Sequence, residues 1–226
     1  MEITYYGHSC FLVKTADHKV LFDPFISPNP LASKIDVNNV QADFILLSHA
    51  HEDHIADAEQ IAKRTSATIV SNFEITTWYN NKGIERTHPM NHGGKKHFDF
   101  GTVKMVNAVH SSSFPDGSYG GNPAGFVIET GDKIFYFAGD TALHYDMKMI
   151  GDQNKLDFAM LPIGDNFTMD INDAIVAATF ANTKKIIGMH YDTFPYIEID
   201  HLEATMTAKR NDKELILMNI GESREF

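Results

Sequence analysis

The chain has 226 residues, of which 43% are apolar and 22% charged, a composition typical of a globular protein that buries one full core. We therefore predict a single domain over residues 1–226. The formal net charge of −11 argues against a nucleic-acid partner, because proteins that bind nucleic acids normally present a basic surface. No apolar run approaches the roughly 20 residues that a membrane-spanning helix needs, so no membrane partner is expected.

The single cysteine, Cys10, excludes an intramolecular disulfide and fits a reducing compartment. Residues 1–6 show neither the basic region nor the apolar region of a signal peptide. The predicted location is therefore the cytoplasm. The sequence does not decide the oligomeric state. A homo-oligomer is possible because symmetric assembly is common, but no specific interface signal is present.

Short apolar strands alternate with amphipathic helices along the chain. The pattern predicts strands at 3–6, 11–14, 20–22, 44–47, 67–70, 103–109, 125–129, 133–137, 158–161, 185–189 and 215–218. It predicts helices at 55–64, 73–80, 171–182 and 201–209. A Thr130-Gly131-Asp132 turn should join two of the strands as a hairpin. Two sheets covered by helices fit this order, which places the chain in the α/β class.

The most informative motif directly follows the strand predicted at 44–47. It holds His49, His51, Asp53 and His54 within six consecutive positions. Imidazole nitrogen and carboxylate oxygen are ligands that zinc, manganese and iron accept. A polar loop with Asp53 capping a helix is the alternative interpretation. Three histidines and an aspartate at this spacing favour a metal site.

Three further predicted strands also end in a ligand-type residue. They lead to His110, Asp140 and His190, respectively. Strand ends are rigid positions, which suits a site that needs a fixed coordination geometry. A lone histidine would more often be structural, but four such endings in one chain favour one shared metal site.

In this order and at these separations, the motif and the three strand ends resemble the metallo-β-lactamase superfamily. The resemblance implies a four-layer αββα sandwich that binds two divalent metal ions, one through each of two trios of ligands, with one carboxylate bridging them. The first trio is His49, His51 and His110. The second trio is Asp53, His54 and His190. The bridging carboxylate is Asp140.

Shorter motifs narrow the resemblance to the small uncharacterised metal-dependent hydrolases of bacteria and archaea, a group similar to the ascorbate-6-phosphate lactonases. These motifs are Gly7-His8-Ser9 and residues 22–25, 110–113, 162–169 and 190–195. The usual glycine and aromatic residue between the ligands are Ala50 and Glu52 here. Neither position is a ligand, so the predicted site is intact and Glu52 has no assigned role.

The resemblance implies a hydrolase with two divalent cations. Zinc is the first expectation, with manganese, nickel and iron as alternatives, because a His/Asp set suits all four. A metal lowers the pKa of bound water to about 7, so we predict a bridging hydroxide nucleophile that Asp53 and Asp140 position. His8 is the candidate to protonate the leaving group, since an unperturbed histidine titrates near pH 6.5, with a structural role as the alternative.

Five loop residues are candidates for supporting roles. Asp23, Asp165 and Asp192 are expected to accept the free N–H of a metal-bound imidazole, with turn formation as the alternative. Asn166 and Thr168 are expected to donate hydrogen bonds to an anionic group of a small-molecule substrate. The other histidines are predicted to be structural: His18, His88, His92, His97, His144 and His201.

The leading hypothesis is hydrolysis of a lactone, an ester or a phosphodiester. An RNA-processing phosphodiesterase is a second hypothesis, but it needs a basic arm, and no run of lysine and arginine longer than a pair such as Lys95-Lys96 or Lys184-Lys185 occurs. A non-catalytic, metal-stabilised binding or regulatory protein is a third. The complete ligand set argues against it.

Overall fold

The computed structural model describes residues 1–131 and 133–226, so Asp132 of the predicted hairpin turn lies outside the described residues. The strands are β1 Glu2–Gly7, β2 Cys10–Lys14, β3 Lys19–Phe22, β4 Phe44–Leu46, β5 Thr68–Asn72, β6 Thr87–Met90, β7 Lys95–Phe98, β8 Gly101–Asn107, β9 Ala124–Thr130, β10 Lys133–Phe137, β11 Phe158–Pro162, β12 Lys185–Met189, β13 Glu214–Ile216 and β14 Ser223–Glu225. The helices are α1 Glu52–Ile55, α2 Ala58–Thr65, α3 Phe73–Asn81, α4 Asp146–Gln153, α5 Ile171–Phe180 and α6 His201–Arg210.

The strands form two mixed sheets of seven strands each. The first has the order β14-β1-β2-β3-β4-β5-β6 and the second the order β13-β12-β11-β10-β9-β8-β7. In each sheet the strands near one edge pair antiparallel and those near the other pair parallel. Helices flank the two sheets, so the predicted αββα sandwich is confirmed.

Aromatic side chains fill the space between the sheets. The Phe22 ring of β3 lies 4.8 Å from the Phe137 ring and 6.1 Å from the Phe135 ring of β10, centroid to centroid. All three rings are fully buried. Burying a phenylalanine side chain contributes roughly 1.5–3 kcal/mol, so this contact helps to hold the two sheets together.

The direction of the strands explains why their ends meet. β8 and β10 both pair antiparallel with β9, so they run in the same direction. β12 runs parallel to β10 through β11. The carboxyl ends of β8, β10 and β12 therefore lie at one edge of the second sheet, where His110, Asp140 and His190 follow them.

The structure differs from the predicted elements in several places. The single helix predicted at 55–64 is two helices, α1 and α2, because the Asp57 carboxylate accepts the backbone N–H groups of Ile26 and Ser27 at the break. The short edge strands β6, β7 and β14 and the helix α4 were not predicted. β6 carries Pro89, which sequence patterns associate with non-strand segments but which an edge strand tolerates. In the described part of the chain, no helix combines the length and apolar character needed to cross a membrane.

Candidate metal centre

The loop after β4 and the start of α1 carry four of the predicted ligands, and hydrogen bonds hold the backbone of this loop. The Ser48 N–H donates to Asp23 Oδ1 over 2.8 Å, and the Ser48 carbonyl accepts from the Ala124 N–H of the second sheet over 2.9 Å. The Ala50 N–H donates to Ser112 Oγ over 3.2 Å. His51 then precedes the first residue of α1. This loop therefore bridges the two sheets where the first ligands emerge.

Asp140 reaches the centre through a backbone that only glycine can adopt easily. Gly139 has a φ of +61°, in the left-handed region that side chains disfavour. A Cβ at this position would also lie 2.7 Å from Ser48 Cβ and 2.8 Å from the Ala124 carbonyl oxygen. Gly139 thus lets the end of β10 approach the first sheet closely enough for Asp140 to face the β4 loop.

One oxygen of Asp140 lies at the middle of a ring of imidazole nitrogens. Asp140 Oδ2 lies 2.9 Å from His190 Nε2 and 3.3 Å from His54 Nε2. It lies 3.6 Å from His110 Nε2 and 3.9 Å from His49 Nε2. Tetrahedral zinc with bonds of about 2.0–2.1 Å separates its ligand atoms by roughly 3.3 Å, a value that lies within the range of 2.9–3.9 Å seen here.

Each predicted trio forms a cluster next to Asp140, and the two clusters adjoin, since His49 and His54 also lie within 4.8 Å of each other and of Asp23. The ligand-type atoms of His49, His51 and His110 lie within 4.8 Å of one another. Those of the second trio, Asp53, His54 and His190, do so as well, together with His8. The structure therefore brings together all seven predicted ligands and places them in the predicted grouping.

The atoms at the centre fit a bound cation. His54 Nε2 is buried and makes no hydrogen bond, although it lies 3.3 Å from Asp140 Oδ2. Asp140 Oδ1 is also buried without a hydrogen-bond partner. Since buried polar atoms in folded proteins nearly always have a partner, these orphaned atoms indicate that a ligand completes the site.

The electrostatics point the same way. Burial lowers the pKa of His49 well below its usual value, so this imidazole is neutral, as a metal ligand must be. Burial disfavours the charged forms of Asp140 and His54, but the attraction between opposite charges in the cluster outweighs this effect. His190 and His54 hold the pKa of Asp140 well below its usual value, and Asp140 and Asp53 raise that of His54 well above its own. The carboxylates thus create a buried site for positive charge, which a metal ion would fill by displacing the His54 proton.

Asp23 orients two of the predicted ligands at once. Its carboxylate accepts from His54 Nδ1 over 2.8 Å and from Ser48 Oγ over 2.5 Å. Ser48 Oγ in turn lies 2.9 Å from His49 Nδ1. Asp23 is fully buried, so these contacts are shielded from water. The predicted supporting role of Asp23 therefore extends to both trios, one directly and one through Ser48.

His8 lies behind Asp53. Its Nε2 atom is 3.0 Å from Asp53 Oδ2 and its Nδ1 atom 3.0 Å from Thr193 Oγ1. The ring is 1% exposed, and burial is the main cause that lowers its pKa to about 4. A ring that is neutral at pH 7 and has both nitrogens engaged is poorly suited to the predicted protonation of a leaving group. The geometry favours positioning of Asp53 instead.

The other predicted supporting residues do not reach the metal cluster. Asp165 Oδ1 accepts the N–H of the exposed Asn166, and both residues have left-handed backbones with φ of 62° and 54°. Asp192 (φ 62°) accepts from the Ile199 N–H and from His201. These two aspartates therefore build turns, which corrects their predicted role. Left-handed asparagine and aspartate are common in tight turns because their short side chains bond the local backbone.

Thr168 and Asn166 are likewise not among the described residues that line the cleft over the metal cluster. This cleft of about 280 Å³ is bounded by His51, Asp53, His110, Ser111, Asp140, Phe167, His190 and Phe194. Phe167, Phe194 and Ser111 were not predicted as site residues. The sequence could have indicated them only by their position, because Phe167 and Phe194 lie in the loops after β11 and β12 and Ser111 directly follows His110. Glu52 is exposed on α1 and His92 Nε2 contacts the Pro123 carbonyl over 2.9 Å, so neither belongs to the cleft.

Comparison with known proteins identifies the class of this fold and site. A family model of the beta-lactamase superfamily domain matches residues 2–190. The chain is 61% identical to a UPF0173 metal-dependent hydrolase of Christiangramia forsetii over 227 residues, which cover 100% of both chains. It is 57% identical to a protein of the same name from Flavobacterium johnsoniae, again over 100% of both chains. The chain therefore belongs to the beta-lactamase superfamily and, within it, to the UPF0173 metal-dependent hydrolases.

Solved structures agree with this assignment. The structure is similar to that of Igni18, a metallo hydrolase from the hyperthermophilic archaeon Ignicoccus hospitalis, with a TM-score of 0.89 and 34% sequence identity. The match covers 100% of this chain and 98% of that chain. The family and the enzyme class that the sequence motifs imply are confirmed. The roles of the individual ligand residues stay predictions.

Proposed function

We propose that this chain is a binuclear hydrolase in which the first trio and the second trio each hold one divalent cation and Asp140 contacts both. The observation that carries the proposal is the position of Asp140 Oδ2, which lies 2.9–3.9 Å from histidine nitrogens of both trios. A ligand set of histidine nitrogens and aspartate oxygens suits zinc first, with manganese, nickel and iron as alternatives.

Bound cations would supply a water of lowered pKa and would polarise the oxygen of the scissile group. The chain's own residues arrange the reactants around that water. Asp53 lines the cleft, and His8 holds its Oδ2 atom, so this carboxylate can orient the water and accept its proton. Ser111 also lines the cleft, where its hydroxyl can donate a hydrogen bond to the substrate. The reaction class is hydrolysis of a carboxylic ester, a lactone or a phosphodiester.

The size and charge of the cleft support a small-molecule substrate over RNA. A volume of about 280 Å³ is at the small end of ligand pockets. Among the described residues, no lysine or arginine lines it. RNA binding depends on basic side chains that contact phosphates, so the RNA-processing hypothesis has little support. We keep the cytoplasm as the proposed location, because Cys10 is a buried free thiol.

Metal content per chain is the first test. We expect about two divalent cations per chain by elemental analysis of protein purified without chelator, together with ester or phosphodiester hydrolysis that a chelator abolishes. His110→Ala should lose one ion, because it removes a member of the first trio. His92→Ala serves as the matched control and should keep both. One ion or none in the parent protein after reconstitution would contradict the binuclear site, and two ions without any turnover would favour the non-catalytic alternative.

His8→Gln tests whether His8 positions Asp53 or donates a proton. We expect kcat/KM to fall by about 10–100-fold, the usual effect of removing a side chain that orients a ligand. A proton donor must be protonated, so its loss would remove the decline in rate on the alkaline side of the pH profile. A positioning role predicts that this decline keeps its midpoint in His8→Gln. If the alkaline decline disappears while the metal content is unchanged, His8 is the proton donor after all.

A further inference from the structure

The cleft has a polar floor and an aromatic wall. The floor consists of predicted ligands, whereas one side is formed by the rings of Phe167 and Phe194. The Tyr196 ring extends this wall, since its centroid lies 6.2 Å from that of Phe167 in an edge-to-face arrangement. Phe167 is 51% exposed and Tyr196 is 74% exposed. Exposed aromatic rings grouped at the mouth of a polar site contribute little to folding and are typical of ligand contact surfaces.

The loop that carries Phe167 is firmly held. The Asp165 N–H donates to the Met169 carbonyl over 3.0 Å, which closes the turn around Phe167. The Met169 N–H donates to the Thr141 carbonyl over 3.2 Å. Since Thr141 directly follows Asp140, the aromatic ring is tied to the backbone next to the metal cluster. The turn formed by Asp165 and Asn166 thus holds Phe167 in a loop that is hydrogen-bonded to the residue after Asp140.

The loop that carries Phe194 and Tyr196 is held in a similar way. The Asp192 N–H donates to the Ile197 carbonyl over 2.8 Å, and Asp192 Oδ1 accepts the Ile199 N–H over 3.1 Å. The Phe194 ring also packs edge-on against His8, with 5.5 Å between centroids. An aromatic surface that is ordered before binding loses little conformational entropy when a ligand contacts it.

The wall of the cleft, more than its floor, selects among the substrate classes, because two cations on the floor could polarise a carbonyl or a phosphoryl oxygen alike. The described residues that line the cleft include no arginine or lysine. A phosphate or other anionic group outside the reacting bond would normally be held by such side chains. A phosphodiester with an anionic or polar extension would therefore find no partner along this wall, whereas a neutral apolar group would.

We propose that the site acts on a neutral carboxylic ester or lactone whose aromatic or similarly flat apolar group packs against Phe167 and Phe194. The inference rests on the proposed hydrolase function and adds the class of substrate. In the reaction, the oxygen of water bonds to the carbonyl carbon and the carbon–oxygen bond of the ester breaks. The leaving oxygen keeps the bonding electron pair and takes a proton, which gives an acid and an alcohol.

The test compares esters that differ only in a ring. Benzyl acetate and methyl phenylacetate carry the ring on opposite sides of the carbonyl, methyl acetate carries none, and methyl phenyl phosphate is the anionic counterpart. We expect one of the two aromatic esters to exceed methyl acetate in kcat/KM by at least about tenfold. Phe167→Ala should reduce that ratio about tenfold and Phe167→Tyr should restore it. Phe73→Ala is the matched control, since Phe73 is a 61% exposed phenylalanine on α3 outside the cleft.

A binding measurement on the same proteins distinguishes contact with the aromatic wall from an effect on the rate of hydrolysis. Saturation-transfer NMR with the metal-loaded protein should show contact with the ring protons of the preferred aromatic ester's alcohol or acid product, and Phe167→Ala should weaken it. Equal kcat/KM for aromatic and methyl esters would overturn this inference while leaving the hydrolase function intact. Preference for methyl phenyl phosphate would also overturn it. Failure to hydrolyse any ester or phosphodiester would instead contradict the proposed function itself.

Discussion

Replacing Asp140 with alanine is expected to reduce hydrolysis by about a thousandfold or more and to lower the metal content to one ion or fewer per chain. The carboxylate lies within 4 Å of histidine nitrogens from both trios, so its loss removes the group that the two proposed cations share. Metal polarisation and water activation are worth several kcal/mol, and about 4 kcal/mol corresponds to roughly a thousandfold in rate. Elemental analysis and turnover of the best ester substrate provide the two measurements.

Asp146→Ala is the matched control for this variant. Asp146 lies six positions later, is paired with Asn107 Nδ2 over 3.0 Å, and does not line the cleft over the metal cluster. We expect it to keep two ions and full activity. An Asp140→Ala protein that retains two ions and hydrolyses within tenfold of the parent would show that this carboxylate does not bridge.

Asp23→Asn is expected to weaken metal binding by about 10–100-fold without changing any predicted ligand. The amide keeps an oxygen for the Ser48 N–H, but its NH₂ group cannot accept from His54 Nδ1. His54 then loses the contact that fixes its ring, and Ser48 loses the acceptor that orients it toward His49. Competition titrations against a chelating dye would measure the change in affinity.

Asp57→Asn separates loss of stability from loss of metal affinity. Asp57 is also a buried aspartate that accepts backbone N–H groups, but its contacts are to Ile26, Ser27 and Gln60, none of them a predicted ligand. We expect it to destabilise the fold by roughly 1–3 kcal/mol in urea unfolding and to bind metal normally. If Asp23→Asn binds metal as tightly as Asp57→Asn does, the Asp23 contact serves folding alone.

The metal cluster could be predicted from sequence because each ligand sits at a position that local pattern identifies. The spacing of His49, His51, Asp53 and His54 is visible in the residues themselves, and an apolar run before His110 or His190 marks a strand end. Strand direction then brings these ends to one edge. The candidate ligand residues could therefore be identified from the residue pattern, whereas their division into two trios and the bridging role of Asp140 came from the resemblance to the metallo-β-lactamase superfamily.

The supporting residues were harder because their roles depend on backbone geometry. His8 and Asp23 have φ values of 55° and 40°, a region that non-glycine residues rarely adopt. No residue pattern predicts these backbone conformations. They determine whether a side chain points toward the metal cluster or forms hydrogen bonds within a turn. The sequence motifs around Asp165 and Asp192 lie in two loops that border the cleft, but the residues that line it are the neighbouring Phe167 and Phe194.

The supply of ligands from both sheets also constrains the order of assembly. The first sheet contributes His49 through His54, whereas His110, Asp140 and His190 follow strands of the second sheet, separated from them by up to about 140 positions in the chain. Each proposed ion has four ligands, which are one trio and Asp140. Neither sheet alone supplies all four ligands of either ion. We therefore expect tight metal binding to follow the docking of the two sheets during folding, so that a chain with an undocked second sheet would bind metal weakly.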